Sequence, residues 1–342
     1  MKQLDIVVPG MLGPFADALP EYILPSLKQT EFNLLNKVMA RAELSFVDAN
    51  NYFETQLHLI NPQCELSLCQ LSAEFDELNI NDGFYYRADP VHFKAESDHA
   101  LLMGSDLISP TLDEVSQLVD CFNAHFLEDG LSLCFTSESR WYLKSTRPLN
   151  LKFTPLDYAL GRDIKHFMPA DIGAGEDALW WRKILNEAQM LFFQHAVNER
   201  RESQGQLTIN GLWIWDVNAN PGQNEKSHVK QLFSDDVMSI ALANKTDLDV
   251  QPSSCINNVE GSAVWICDSI YQAVCYGDIE AWLGSLTEFC NDEFQTAMSL
   301  LSSKKIDEVN IYPCDGRKFS VNRMSLLKFW KSAVALSKYI NK

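Results

Sequence analysis

Short apolar runs alternate with amphipathic stretches along much of this chain, and that alternation predicts an α/β fold. The first run, residues 4–8, is expected to be a buried strand that leaves its sheet at Pro9-Gly10. An amphipathic helix is expected over 31–42. Further strands are expected at 209–215, 263–267, 309–312 and 319–321, and further helices at 236–243, 278–301 and 324–340. This order favours a mixed, mostly parallel sheet flanked by helices.

The middle of the chain has a different pattern. Short β-prone runs lie at 84–87, 91–94, 100–103, 131–135, 141–144 and 151–153, and one helix is expected at 112–126. Strands this close in sequence pair antiparallel, because a parallel pair needs a crossover of about a dozen residues. We therefore predict a mixed or antiparallel β-rich segment, 84–153, inserted into an α/β body formed by 1–83 and 154–342.

The longest helical pattern covers 176–203 and is closed by Gly205. At about 100° per residue, His195, Asn198 and Glu202 would share an arc of about 60°, with Arg201 turned further away. One interpretation is a polar cluster aimed at a phosphate or a sugar. The other is a solvated helix end at which His195 caps backbone carbonyls.

Arg87, Asp89 and His92 form a second polar group, near the point where a strand meets Pro90. Arg87 and Asp89 share one face if this run is extended. They either hold one another as an ion pair, or Arg87 binds an anion while Asp89 orients it. His92 could act as a general base if the fold brings it to the same pocket.

Composition and charge exclude several classes of protein. The chain has 342 residues, 46% of them hydrophobic, which is enough for a large core. Its net charge of -18 argues against direct nucleic-acid binding. The chain has no uninterrupted apolar run of about 18 residues, so we expect no membrane span and no membrane partner. The nine cysteines include no Cys-x-x-Cys pair, so we expect reduced thiols, a cytoplasmic location and no structural zinc at Cys64 and Cys69.

Two resemblances to known families follow from these motifs. The spacing of His195, Asn198, Arg201, Gly205 and Asn210 is similar to that of the archaeal-type cofactor-independent phosphoglycerate mutases, members of the alkaline phosphatase superfamily. Together with 86–92, 185–190 and 210–215, this stretch also resembles a proteobacterial family described both as phosphoglycerate-mutase-like and as RpfE-type regulatory protein. The resemblance implies an alkaline-phosphatase-like fold.

The mutase resemblance also implies a Ser or Thr nucleophile and two divalent metals held by Asp and His side chains. The first metal ligand would be an Asp at the end of strand one. Pro9 stands there instead and has no side-chain oxygen, while Asp5 lies too early. The Asp98-His99 dipeptide lacks the expected neighbours, and no Arg-Gly follows Asn210 at the matching place. We therefore expect no metal and no cofactor, and name no catalytic residue.

Our leading hypothesis is a phosphoglycerate-mutase-like regulatory or binding protein that has lost its two-metal catalytic site. Its ligand would be a small anionic metabolite or a protein partner. The expected ligand-binding residues are Arg87, Asp89, His92, His195, Asn198, Arg201 and Asn210. The oligomeric state is left open.

Two alternatives remain. The first is an active manganese- or zinc-dependent phosphoglycerate mutase or phosphatase with relocated ligands. Those ligands would come from Asp5, Asp89, His92, Asp98, His99, His195 and Asp216. The second is a structural interaction module with an exposed aromatic surface. That surface would be formed by Trp180, Trp181, Trp213 and Trp215.

Overall fold

The computed structural model describes residues 1–13, 20–173, 175–218, 227, 229–328 and 330–340, and these form two compact units. Unit 1 comprises Met1–Glu65 and Ala219–Lys342, and unit 2 comprises Leu66–Asn218. The strands are β1 Gln3–Val7, β2 Glu43–Phe46, β3 Phe84–Ala95, β4 Ala100–Met103, β5 Leu131–Phe135, β6 Trp141–Ser145, β7 Leu151–Lys152, β8 Ala170–Asp171, β9 Gly211–Trp215, β10 Gln231–Phe233, β11 Asp249–Gln251, β12 Ala263–Ile266, β13 Glu308–Tyr312 and β14 Arg317–Asn322.

The α-helices are α1 Asn33–Arg41, α2 Tyr52–Ile60, α3 Leu68–Phe75, α4 Ser105–Ile108, α5 Leu112–Phe126, α6 Leu156–Ala159, α7 Asp177–Phe193, α8 Ala196–Ser203, α9 Val237–Ala243, α10 Tyr271–Cys275, α11 Ile279–Asn291, α12 Glu293–Ser302 and α13 Arg323–Leu326. Short 3-10 helices cover Ser26–Lys28, Thr30–Phe32, Ile164–His166, Ser253–Asn258 and Leu336–Lys338. In the part of the chain that the structure describes, no helix is long and apolar enough to cross a membrane.

Unit 1 is built on a seven-stranded sheet in the order β11-β10-β12-β1-β13-β14-β2. β1, β10, β11, β12 and β13 pair in parallel, and β14 runs antiparallel to both β13 and β2. The predicted hairpin at Asp315-Gly316 is the cause of that reversal. Gly316 has a φ of +84° there, and an added Cβ would lie 2.6 Å from Asn50 Oδ1. The mostly parallel sheet confirms the predicted fold class.

Helices cover both faces of this sheet. Alternate residues of β1, such as Leu4 and Ile6, share one hydrophobic cluster with apolar side chains of α1, α11 and α12. Helix α2 packs against α9 and β1, and neither α2 nor α9 contributes to that cluster, so they cover the opposite face. Burial on two sides explains why the central strands β1, β12 and β13 are mostly apolar, whereas the edge strand β2 is exposed.

Unit 2 contains an antiparallel sheet in the order β4-β3-β6-β5, with β9 also paired to β3. The predicted runs 84–87 and 91–94 are one strand, β3, because successive parts of it pair with β6, β9 and β4 and the ladder continues past Pro90. The predicted segment 84–153 lies inside unit 2. The unit extends beyond it on both sides, in part because β9 completes the sheet.

Three predicted helices differ from the observed ones: two are interrupted and one ends early. The pattern at 176–203 is two helices, α7 and α8, because His195 is extended (φ -80°, ψ 139°) and forms the N-cap of α8. The pattern at 278–301 breaks at Asp292, between α11 and α12. The predicted helix 324–340 is wrong beyond α13, since the backbone N–H groups of Val334 and Leu336 bind Asn36 instead of continuing a helix.

Candidate functional site

Arg87 and Asp89 form a buried ion pair on β3. Arg87 donates to Asp89 Oδ1 through Nε, at 3.1 Å, and through Nη2. Its Nη1 donates to Ser72 Oγ at 2.9 Å, and Trp215 Nε1 donates to Asp89 Oδ2 at 2.6 Å. Both oxygens of the carboxylate and all three nitrogens of the guanidinium therefore have protein partners. The structure shows the ion pair, the first of the two interpretations offered for these residues.

The Arg87 pair belongs to a longer hydrogen-bonded chain. Ser72 Oγ lies 2.6 Å from Tyr142 OH, which donates to Asp76 Oδ2 at 2.7 Å. Arg140 Nη2 donates to Asp76 Oδ1 at 2.8 Å. The Arg87 guanidinium also lies 5.5 Å from the centroid of the Tyr142 ring. The network links α3 to β3 and β6, which identifies a stabilising role inside unit 2.

The pKa shifts in this network differ from group to group. Burial raises the pKa of Asp89, although Arg87 and Trp215 act against this rise. Burial alone would lower the pKa of Arg87, but Asp89 raises it above its ordinary value, so the guanidinium stays charged. Burial would raise the pKa of Asp76, but hydrogen bonds from Arg140, Thr136 and Tyr142 outweigh this and hold it below its usual range. The Arg87 guanidinium is therefore already paired with a carboxylate and has no N–H group directed at an anion.

His195 and Asn198 act on the backbone around the break between α7 and α8. His195 Nδ1 accepts a bond from Val197 N at 3.3 Å, so His195 caps the start of α8, and the predicted capping of carbonyls at a helix end is wrong. Asn198 Nδ2 donates to the carbonyls of Phe192 and Ile209, both at 2.8 Å, and its Oδ1 accepts from Ile209 N at 2.8 Å. The shared arc with Glu202 also fails, because His195 is outside the helix.

Arg201 is buried and points into the protein. Its Nε donates to the carbonyl of Leu207 at 2.7 Å, its Nη1 to Glu114 Oε2 at 2.7 Å, and its Nη2 to the carbonyl of Ile108. A guanidinium held by one carboxylate and two carbonyls has no free fork for a phosphate. Arg201 therefore ties α8 to α4 and α5.

Asn210 and His92 complete the same edge of unit 2. Asn210 Oδ1 accepts from Phe93 N at 2.7 Å and its Nδ2 donates to the Phe93 carbonyl at 3.1 Å, so the side chain imitates one more residue of β9. His92 Nδ1 lies 2.9 Å from the Thr208 carbonyl, and burial lowers the pKa of His92. The Nδ1 atom of the neutral imidazole is thus hydrogen-bonded to a backbone carbonyl.

The seven predicted ligand-binding residues lie on β3 (Arg87, Asp89 and His92), at the cap and on the body of α8 (His195, Asn198 and Arg201) and directly before β9 (Asn210). Each of them hydrogen-bonds another group of the protein. The remaining candidates for relocated metal ligands also have other contacts. Asp98 and His99 pair with each other at 2.7 Å on the surface, and Asp216 accepts from Cys69 N. Asp5 lies in unit 1. Within the described ranges, no three His, Cys, Asp or Glu side chains are placed to share a metal ion.

The four tryptophans of the interaction-module hypothesis do not form an open patch. Trp181 and Trp213 are buried, and Trp213 Nε1 donates to the Thr154 carbonyl at 2.9 Å. Trp180 is half-buried under Arg147, whose guanidinium lies 4.5 Å from a ring centroid. Trp215 is half-buried and bonded to Asp89. The main reason for that hypothesis is removed.

A different group of polar side chains lies where the parallel strands of unit 1 end. Parallel strands end at one edge of a sheet, and α/β proteins bind ligands there. Asp235 and Asp236 follow β10, and Asp268 follows β12. Asp236 caps α9 by accepting from Ser239 N at 2.7 Å. Asp268 could have been found from sequence, since it follows a predicted strand, whereas β10 was not predicted.

Residues of α2 contact this carboxyl edge. Gln56 Nε2 donates to Asp236 Oδ2 at 2.8 Å, and Tyr52 OH donates to Asp268 Oδ2 at 3.4 Å. Desolvation raises the pKa of Asp268, and the neighbouring Asp236 and Asp235 raise it further, although much of the residue's surface is exposed. Burial and the same carboxylates raise the pKa of Tyr52, so its hydroxyl keeps its proton. The edge accepts hydrogen bonds and is negative, which suits hydroxyl or amine groups and repels anions.

The donor set at this edge does not fit the two-metal centre that the resemblance implies. β1 leads into Val8 and Pro9, which offer no side-chain ligand, and β13 leads into Pro313 and Cys314. Burial raises the pKa of the Cys314 thiol, which opposes the thiolate form that binds metals.

Comparison with known proteins gives similarity in structure alone. No family model and no curated protein matches this chain. A cofactor-independent phosphoglycerate mutase from Thermoplasma acidophilum is 13% identical with a TM-score of 0.40, over 99% of this chain and 95% of that chain. The PH0037 protein from Pyrococcus horikoshii is 14% identical with a TM-score of 0.48, over 100% and 98%. The fold class stands on the sheet topology described above.

Proposed function

We propose that this chain is a regulatory or binding protein on a phosphoglycerate-mutase-like framework, and that it works without the two-metal catalytic centre. The observation that supports this is the composition of the carboxyl edge of unit 1. Pro9 occupies the place of the first ligand, and the carboxylates after β10 and β12 are bound by Gln56 and Tyr52. Phosphoryl transfer of the mutase type needs two metals to neutralise the attacking and leaving oxygens.

Of the two ligand classes expected from sequence, we favour a protein partner over a small anionic metabolite. An anion site needs free cationic or N–H donors. Arg87 and Arg201, the cations expected to supply them, each bind a carboxylate and other protein acceptors. The carboxyl edge of unit 1 carries negative charge instead.

The test is metal analysis of the purified protein after manganese or zinc loading and dialysis, with phosphoglycerate turnover assayed on the same samples. We expect far less than one ion per chain and no turnover. Pro9→Asp is the matched variant, because it returns an oxygen ligand to the end of β1, and a known metal-dependent mutase serves as the positive control. Near-stoichiometric metal with turnover in the unmodified chain would contradict the proposal.

The anion class is tested separately by thermal unfolding with 3-phosphoglycerate. A ligand that binds the folded state at about 100 times its Kd stabilises it by about 2.7 kcal/mol. We expect no shift of Tm. A saturable rise would restore the metabolite as the ligand.

A further inference from the structure

Charge is distributed very unevenly along this chain. Residues 316–342 contain seven Lys and Arg residues and no Asp or Glu, whereas residues 1–315 contain 21 Lys and Arg and all 46 acidic residues. Such asymmetry is typical of a surface that meets an anionic partner. The basic segment begins in β14 and continues through α13.

Large apolar side chains are exposed within the basic segment. Met324 is 74% exposed, Leu327 64% and Trp330 69%. They lie on α13 and the turns after it, together with Lys328, which is half-buried, and Lys331, which is exposed. We call these five residues the C-terminal basic surface.

The backbone that carries this surface is fixed to the rest of unit 1. Asn322 and Ser325 form a reciprocal capping box at the start of α13. Arg41 Nη1, from α1, donates to the Leu326 carbonyl at 2.7 Å. Further along, Leu336 N donates to Asn36 Oδ1 at 2.8 Å. The exposed side chains are therefore presented by an anchored segment.

The cations of the segment differ in what they contact. Arg317 pairs with Asp315, and Arg323 lies 3.4 Å from Asp307, so both have acidic neighbours. In sequence, Lys328 follows Leu327 and Lys331 follows Trp330, and no carboxylate of a described residue forms an ion pair with either lysine.

We propose that the C-terminal basic surface binds peripherally to an anionic phospholipid surface. Exposed Trp, Leu and Met side chains enter the apolar side of a lipid interface, while lysines reach the phosphates from the same place. Charge complementarity fixes the orientation, because the acidic remainder of the chain is repelled by the same lipids. A fluid interface also receives protruding side chains without needing a matching cavity.

This inference is independent of the proposed binding function and concerns adsorption, not a membrane span. The expectation of no membrane rested on the lack of a long apolar run, which says nothing of adsorption by a few residues. Either proposal can therefore fail alone: metal analysis tests one, and lipid binding tests the other.

The experiment is co-sedimentation of the full chain with vesicles of phosphatidylcholine alone and with vesicles that also contain phosphatidylglycerol. We expect binding to the second kind, weakened by salt. Lys331→Glu should weaken it at least about fivefold, since each lysine near an anionic surface contributes about that factor. Trp330→Ser should weaken it about tenfold through lost apolar burial.

Matched controls come from α7 in unit 2, where Phe193 is 72% exposed and Lys183 is exposed. Phe193→Ser and Lys183→Glu should leave vesicle binding unchanged, and near-ultraviolet circular dichroism confirms folding of all four variants. Absence of binding by the unmodified chain would overturn the proposal. Equal loss in the control variants would do so too. A Trp330-dependent dimer in light scattering, without vesicle binding, would assign the surface to a second copy instead.

Discussion

Asp5 in unit 1 and Asp89 in unit 2 are both buried carboxyls on strands, yet their surroundings differ. Asp89 accepts from the guanidinium of Arg87 and from the indole of Trp215. Asp5 accepts from an amide, Asn310 Nδ2, at 2.7 Å, and burial raises its pKa to about 6. Burial raises the pKa of Asp89 as well, but Asp89 accepts hydrogen bonds from a cation, whereas the donor to Asp5 is an uncharged amide.

The same contrast decides where function should be sought. In unit 2, the polar side chains around Arg87 and Asn198 look most like a ligand-binding site. They form buried hydrogen bonds with other groups of the protein. In unit 1 the carboxylates at the ends of parallel strands repel one another. A polar side chain is a weaker indicator of a binding site where the fold already supplies its hydrogen bonds and its opposite charge.

Of the substitutions that test this difference between the units, Arg87→Ala should have the largest effect on stability. Removing the cation leaves Asp89 as a buried, unpaired charge, so we expect a loss of about 3 to 5 kcal/mol in the free energy of unfolding, measured in urea. Lys94→Ala, which removes the exposed ion pair with Glu96, is the control and should cost about 0 to 1 kcal/mol.

A double variant tests whether the stability lost in Arg87→Ala comes from the unpaired charge of Asp89. In Arg87→Met/Asp89→Leu both charges are gone, so this double variant should be more stable than Arg87→Ala. Equal losses of unfolding free energy for Arg87→Ala and Lys94→Ala would mean that the Arg87–Asp89 pair does not neutralise a buried charge.

Asn198→Ala should have the next largest effect. Three hydrogen bonds to buried backbone groups of Phe192 and Ile209 are lost at once, for which we expect about 3 to 4 kcal/mol. Asn186→Ala, at an exposed position of α7, is the control. If instead Asn198→Ala retains full stability and loses affinity for a ligand, the stabilising role assigned to Asn198 is wrong.

Asp5→Asn should have the smallest effect, and one that depends on pH. The carboxyl holds its proton up to about pH 6 when folded and releases it near 3.8 when unfolded. The free energy of unfolding therefore falls as pH rises from about 4 to about 6, by at most about 3 kcal/mol, and is then flat. The variant should lack this slope in urea titrations at several pH values. An unchanged slope would show that Asp5 is not the group responsible.

Elements with strong local signals could be predicted from the sequence. Helix α5 has the predicted bounds because Thr111 and Glu114 form a capping box ahead of a regular apolar period. Strands β10 and β11 were missed because three residues are too few to establish a period. The break at His195 was missed because no Gly or Pro marks it, and the residues on both sides of it are compatible with a helix.

The hydrogen-bond partners of the predicted ligand-binding residues could not be predicted from sequence, for a different reason. An amide such as that of Asn198 or Asn210 has the same donors and acceptors whether it meets a ligand or a backbone. Its partners, Ile209 and Phe93, become neighbours only after β3 and β9 have paired. Residue type and spacing are silent about that pairing, so the local pattern was compatible with either role.

The position of β1 also sets an order of events during synthesis. β1 lies between β12 and β13, whose residues follow it by more than 250 positions, so β1 cannot pair with either neighbour until those strands have been synthesised. Unit 2 is continuous in sequence, and its ends meet where Leu68 N donates to the Val217 carbonyl at 2.9 Å. Unit 2 can therefore fold while β1 is still unpaired, which leaves the apolar residues of β1 exposed for longer than any strand of unit 2.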